Sequence, residues 1–260
     1  NIHNIQKELY DAYKCMPELT TVATFDSFVY HELILPYEPS IGEHFGQPGF
    51  VSCGICMIDP PPQRIKTKTG KSIANPLYTP KDQLAHYITD RKQYYCATLS
   101  ELALQVKKKR ESLIKRVAAR LNMFYDCVLI DEFQDFREHD YDLIIALTKL
   151  LNDVVLVGDY YQHSVSATNN SGRPFKKKSV DEFIGELERA GFEVDISTLD
   201  KSRRCSTEVC EYVSNKLGIE IMSFGTNPGS VIWVDENASR VLEDPSIIKL
   251  VYKGASRYTF

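Results

Sequence analysis

At 260 residues, 43% hydrophobic and 25% charged, the chain has the make-up of an ordinary globular protein of one large or two smaller domains. Its formal net charge of −4 excludes an overall basic nucleic-acid coat and leaves room for a local basic groove. No apolar run approaches the roughly 18 residues that span a bilayer, no signal peptide opens the chain, and the seven cysteines lack disulfide-scaffold spacing, which predicts a reducing, cytoplasmic setting.

The opening run NIHNIQKELYDAYK reads as an amphipathic helix. The chain opens on Asn1, and it is expected to begin partway through a longer protein. A short apolar segment, TVATF, follows, and Asp26-Ser27 opens a second helix. Residues 38–115 differ in texture. They are first rich in Pro and Gly (IGEHFGQPGF, DPPPQ, TKTGKS, NPLYTP). They then turn helical, with apolar spacing that continues through LSELALQVKKKRESLIKRVAARL. This stretch reads as an inserted, mainly helical subdomain. Cys53-Gly-Ile-Cys56 within it is a single CxxC without a second ligand pair, which favours ordinary thiols over a zinc site.

From about residue 120, strands alternate with helices. Residues 126–130 form a short apolar strand, and HDYDLIIALTKLL carries apolar residues at helical spacing. DVVLVGD is a second apolar strand ending in an acid. SVDEFIGELERAG is a helix with Ser179 and Glu182 as a capping box and Gly191 as C-terminal cap. FEVDIS alternates like a strand, STEVCEYVSNKLG is a helix closed by Gly218, and SVIWVD alternates again. Continuous apolar strands between helices predict an α/β fold with a parallel sheet covered on both faces.

In such sheets, ligands bind at the carboxyl ends of the strands. The stretch VLIDEFQDF puts Asp131 and Glu132 at one such end, and Asp159 stands at the next. Two adjacent acids suit a magnesium nucleotide. One carboxylate holds the hydrated metal and the other acts as base toward an attacking water.

The order DEFQD (131–135), GDYYQ (158–162), LDKSRRCS (199–206) resembles motifs II, III and IV of the UvrD/Rep-like helicases of superfamily 1. TFDSF (24–28) is similar to their motif Ib. The resemblance implies a RecA-like P-loop NTPase fold. Residues 1–37 and 116–195 would be part of the first RecA-like domain, 38–115 the insertion, and 196–260 the start of the second RecA-like domain. It implies ATP as substrate and Mg²⁺ as cofactor. Asp131 would hold the metal through water, Glu132 would be the general base, and Gln162 would sense the γ-phosphate. Arg204 would act as an arginine finger, with its neighbour Arg203 as the alternative. Gln134, Asp135 and Asp159 would couple the nucleotide site to the rest. Thr24, Phe25, Asp26, Ser27 and His163 would lie along the nucleic acid. The partner implied is single-stranded DNA, or duplex with a single-stranded tail, with movement 3′ to 5′. A protein partner in a repair or defence complex is a further expectation.

The sequence departs from that pattern in several places. Ala167 and Thr168 stand where the family has an aromatic and an arginine after motif III, and Asp26 replaces a histidine. Shortly afterwards Arg173, Phe175, Lys176, Lys177 and Lys178 supply an aromatic with cations, the composition of a stacking and phosphate contact. Lys107-Lys108-Lys109-Arg110 lies on a predicted helix and reads as a solvated face. TKTGKS (67–72) imitates a phosphate loop. Ile65 occupies its first glycine position and no apolar strand precedes it, so it reads as a solvated basic turn. In the family, the phosphate loop lies upstream of the residues matching Asn1 and further motifs lie downstream of Phe260. Two other readings are a nucleic-acid-stimulated ATPase that remodels complexes without unwinding, and a nucleotide-free interaction module.

Overall fold

A computed structural model describes residues 2–15, 19–108, 111–136, 138–162, 173–175, 178–225 and 227–231. The chain divides into two compact units, Asn1–Glu193 and Val194–Phe260.

The first unit opens with the expected helix α1 (Ile2–Tyr13). Thr24 caps α2 (Phe25–Phe28), its hydroxyl accepting the Ser27 N–H at 3.3 Å. The chain continues through a π-helical turn, Val29–Ile34, that buries Val29, Tyr30, Leu33 and Ile34. Then come α3 (Glu38–His44), β1 (Ile55–Cys56), β2 (Arg64–Lys66), β3 (Ser72–Ala74), β4 (Tyr94–Tyr95) and α4 (Leu99–Gln105). They are followed by β5 (Lys107–Lys108), β6 (Glu111–Ser112), α5 (Leu113–Phe124), β7 (Val128–Ile130), α6 (Glu138–Thr148), β8 (Val154–Leu156) and α7 (Val180–Arg189). The main core joins residues from all parts of this unit: Leu33, Leu84, Tyr94, Leu102, Val117 and Leu143 pack in one cluster. The stretch 38–115 therefore shares its core with the segments on either side. Among the described residues, no helix is long and apolar enough to cross a membrane.

Lys107 and Lys108 of the basic run are not part of a helix. Val106 turns extended after α4, and β5 and β6 form a small antiparallel hairpin. The Ser112 hydroxyl, accepting the Lys115 N–H at 3.4 Å, then restarts helix α5. TKTGKS falls on the turn between antiparallel β2 and β3, with a strand after it in place of the helix that a phosphate loop needs.

β7 and β8 are parallel, with Val128 opposite Val154 and Ile130 opposite Leu156. The two faces of this pair differ. Ile130 and Leu156 pack against the aromatic cluster beneath, while Leu129 is 75% exposed and Val155 points the same way into solvent. The expectation of a sheet covered on both faces is therefore met on one face only among the described residues. The α/β character holds: the described strands form two-stranded pairs, three parallel and two antiparallel.

The second unit has β9 (Lys201–Ser202), α8 (Thr207–Leu217) and β10 (Met222–Ser223), with β9 parallel to β10. Gly218 closes α8 at φ +66. The alternating FEVDIS does not form a strand. Asp195 accepts the N–H groups of Ser197 (2.7 Å) and Thr198 (3.1 Å). This local side-chain turn competes with strand pairing. The alternating segment around Trp233 lies outside the described residues.

Candidate nucleotide site

Parallel pairing of β7 and β8 brings the two acidic turns to the same end. The ladder runs past the strands, with Val157 N–H donating to Ile130 O (2.8 Å) and Phe133 N–H to Val157 O (2.8 Å). Asp131, Glu132 and Asp159 emerge together at the carboxyl ends. Glu132 takes up the left-handed conformation, φ 53 and ψ 40, which costs a non-glycine residue on the order of 1 kcal/mol. It ends the strand and starts the tight turn Phe133–Asp135, closed by Asp135 N–H on Glu132 O (2.8 Å). Sparsely populated backbone of this kind at an exposed acid is a feature of functional sites.

Gln134 joins the two turns. Its side chain is 3% exposed. Nε2 donates to Glu132 Oε2, and Oε1 accepts the Asp159 N–H at 2.9 Å. Asp159 in turn accepts the Tyr161 N–H on Oδ1 (2.9 Å) and the Gln162 Nε2 on Oδ2 (2.8 Å). Glu132, Gln134, Asp159 and Gln162 thus form one continuous polar chain. Asp131 accepts the Glu132 N–H on Oδ1 (2.9 Å) and is exposed. Asp135 is also exposed.

Gly158, inside GDYYQ, is a site position that sequence reasoning misses. A Cβ there would meet Gln134 Oε1 at 2.8 Å and the Gln134 and Phe133 nitrogens at 3.2 Å. The bridge has its geometry because this position lacks a side chain. The other missed residues are aromatic. Phe133 of the first turn and Tyr160 of the second share a cluster with Tyr141, Phe175 and Phe183 beneath the polar chain. Alternating turn and aromatic, FQDF and YYQ, is the only signal the sequence offers for them.

The segment expected to bind nucleic acid is mostly engaged within the fold. Phe175 is 4% exposed and packs on Phe183, ring centroids 4.7 Å apart, and on Tyr160 at 5.8 Å. Its ring is core and is not offered to a base, which corrects the reading of Phe175 as a stacking platform. The Arg173 guanidinium pairs with Asp142 at 2.7 Å and Glu138 at 3.6 Å, and Lys178 pairs with Glu186. Lys176, Lys177 and His163 lie outside the described residues. The TFDSF stretch also packs inward: Phe25 lies 4.6 Å from Phe136 of the acidic turn. Asp26 is half-buried, and burial raises its carboxyl above the usual range. Thr24 is exposed as a helix cap and Ser27 is half-buried.

In the second unit, the Arg203 guanidinium lies 4.2 Å over the Phe224 ring. Arg204 is exposed. Its backbone N–H reaches Ser202 Oγ at 3.3 Å, and its guanidinium makes no hydrogen bond or ion pair among the described residues.

The donor set suits magnesium. This ion keeps several waters and takes one or two carboxylates plus substrate phosphates, which exposed Asp131 beside Glu132 can provide. Among the described residues, no three His, Cys, Asp or Glu side chains gather as a self-sufficient metal cage.

No curated protein matches the chain. Residues 63–164 match the family model of the UvrD/REP helicase N-terminal domain. The matched stretch contains DEFQD and GDYYQ, whose bridge is described above, and that family carries a RecA-like α/β fold. The resemblance read from those two motifs is borne out: over residues 63–164 the chain is similar to the N-terminal domain of UvrD/REP helicases.

Proposed function

We propose that this chain is part of an ATP-dependent DNA helicase or translocase of the UvrD/Rep type. One observation carries the reading: the polar chain from Glu132 through buried Gln134 to Asp159 and Gln162. An acid pair that served only as a solvated strand end would need no buried amide bridging it to the next strand. Asp131 would hold a hydrated Mg²⁺, which supplies charge neutralisation on phosphate oxygens. Glu132 takes a proton from the attacking water, with Oε2 held by Gln134. Gln162 sits at the far end of the same chain, where contact with a γ-phosphate would pull on Asp159 and Gln134. Arg204 is favoured over Arg203 as the arginine finger, because the Arg203 guanidinium is committed to Phe224. The apolar face at Leu129 and Val155, exposed among the described residues, fits the parallel sheet of a RecA-like domain, which is covered on both faces.

The test is ATP hydrolysis by the complete protein with and without single-stranded DNA, followed by strand displacement on a duplex with a single-stranded tail. DNA-stimulated hydrolysis with displacement is expected. Stimulated hydrolysis without displacement marks an ATPase that remodels complexes. Absence of stimulated hydrolysis overturns the reading.

A further inference from the structure

The stretch from Pro60 to Lys81 holds Arg64, Lys66, Lys68, Lys71 and Lys81 and no acid, in a chain with 35 acids and 31 lysines and arginines. The fold gathers four of these cations on one hairpin. In register, β2 and β3 pair Arg64 with Ala74, Ile65 with Ile73 and Lys66 with Ser72. Thr67 N–H to Lys71 O (2.9 Å) and Gly70 N–H to Thr67 O (2.9 Å) close the turn, with Gly70 at φ +80. Alternation puts Arg64 and Lys66 on one face and the Ile65–Ile73 pair on the other. Both faces are exposed, Ile65 at 36% and Ile73 at 39%.

Arg64 is fixed across the hairpin, its guanidinium donating to Ser72 Oγ (3.0 Å) and Ser72 O (2.9 Å). Lys66, Lys68 and Lys71 have no acid within ion-pair distance among the described residues, whereas Lys81 at the end of the same stretch is paired with Glu101. Like charges clustered on a tight turn repel one another. Nothing described in the fold offsets this, and a ligand with evenly spaced negative charge would.

We propose that the β2–β3 hairpin is a nucleic-acid contact in which Lys66, Lys68 and Lys71 neutralise backbone phosphates. The identity of the partner rests on the helicase reading above. A two-stranded ribbon is narrow enough to enter the major groove of a duplex. The same cations can equally track a single strand. The hairpin also falls within the matched stretch 63–164.

The experiment combines Lys66→Ala, Lys68→Ala and Lys71→Ala in the 260-residue chain. Binding of a labelled single strand, a blunt duplex and polyglutamate is measured by anisotropy across a salt series, without nucleotide. Each phosphate contact adds about 0.7 to the slope of log affinity against log salt on a single strand and about 0.9 on duplex. Losing three contacts should therefore flatten the slope by about 2 or about 3 and weaken low-salt binding ~10-fold or more. The arm that falls identifies the form of nucleic acid bound. The corresponding triple Lys→Arg variant keeps the charge and should bind like the parent. Unchanged affinity and slope in both nucleic-acid arms overturns the proposal. So does a loss confined to polyglutamate, or a loss in the Lys→Arg variant. A failed hairpin leaves DNA-stimulated ATP turnover untouched as the measure of the helicase reading. Failed turnover leaves this nucleotide-free binding result standing.

Discussion

At the scale of single residues, the site depends on a buried amide and an absent side chain. Gln134 can bridge Glu132 and Asp159 only because Gly158 leaves room for it, with Gln134 Oε1 2.8 Å from where a Cβ would stand. Gly158→Ala should therefore push the bridge apart. The overpacking is expected to cost roughly 1–3 kcal/mol, read as a lower denaturation midpoint with unchanged denaturant slope. Gly185→Ala is the control. It lies inside α7 with nothing within 4 Å of its Cβ position, so it should stabilise by up to about 1 kcal/mol through helix propensity. Equal effects of the two substitutions would mean that the close approach at Gly158 is not what holds the turn. Gly158 was within reach of sequence reading, as the small residue before the acid of GDYYQ. What the sequence lacked was a reason for it, since the clash is with Gln134, twenty-four positions earlier in the chain.

At the scale of elements, helix starts and stops were legible wherever a local cap decides them. The Ser179–Glu182 capping box and the Gly218 cap form as expected. Elements decided by non-local forces were less legible. LSELALQVKKKRESLIKRVAARL keeps helical spacing yet turns extended at Val106, and FEVDIS alternates yet yields to the Asp195 turn. The composition of the 173–178 segment suggested a nucleic-acid contact because an aromatic with cations looks the same whether it faces solvent or core. Phe175 belongs to the cluster under the two acidic turns. Phe175→Ala should therefore cost about 3–5 kcal/mol of stability, as for other buried aromatics, measured by thermal or denaturant unfolding. A fully stable variant would contradict that packing. A second consequence concerns α6, α4 and α2. Asp140, whose Oδ1 accepts the Ser100 hydroxyl, is pushed up chiefly by burial, with the Asp26 charge adding and the Ser100 hydrogen bond and His139 opposing. A raised folded value means that the folded protein holds this proton to higher pH than the unfolded chain. Stability falls as pH rises from the ordinary value of 3.8 through the raised one, and the full penalty remains above it. Asp140→Asn can still accept from Ser100 and should melt at a higher temperature than the parent at neutral pH, with the difference closing as pH falls toward 3.8. A variant that melts lower at neutral pH would show that the charge is stabilising.

At the scale of the whole molecule, the joining of the two acidic turns was the most legible part. DEFQD and GDYYQ are each an unbroken run in sequence, and parallel pairing of β7 and β8 carries them to the same end of the strands. The expected nucleic-acid contact was least legible. It depends on which cations remain unpaired after folding, and ion pairs such as Arg173 with Asp142 join residues far apart in the chain. The coupled acid pair makes Glu132 the decisive residue. Glu132→Gln in the complete protein keeps the shape of the side chain and removes the base. DNA-stimulated ATP turnover should fall by a factor on the order of 10²–10⁴, while nucleotide binding, read with a fluorescent ATP analogue, stays close to that of the parent. Turnover equal to the parent's, with binding intact, would contradict the assignment of Glu132 as the base and with it the account of what the acids at the end of β7 do.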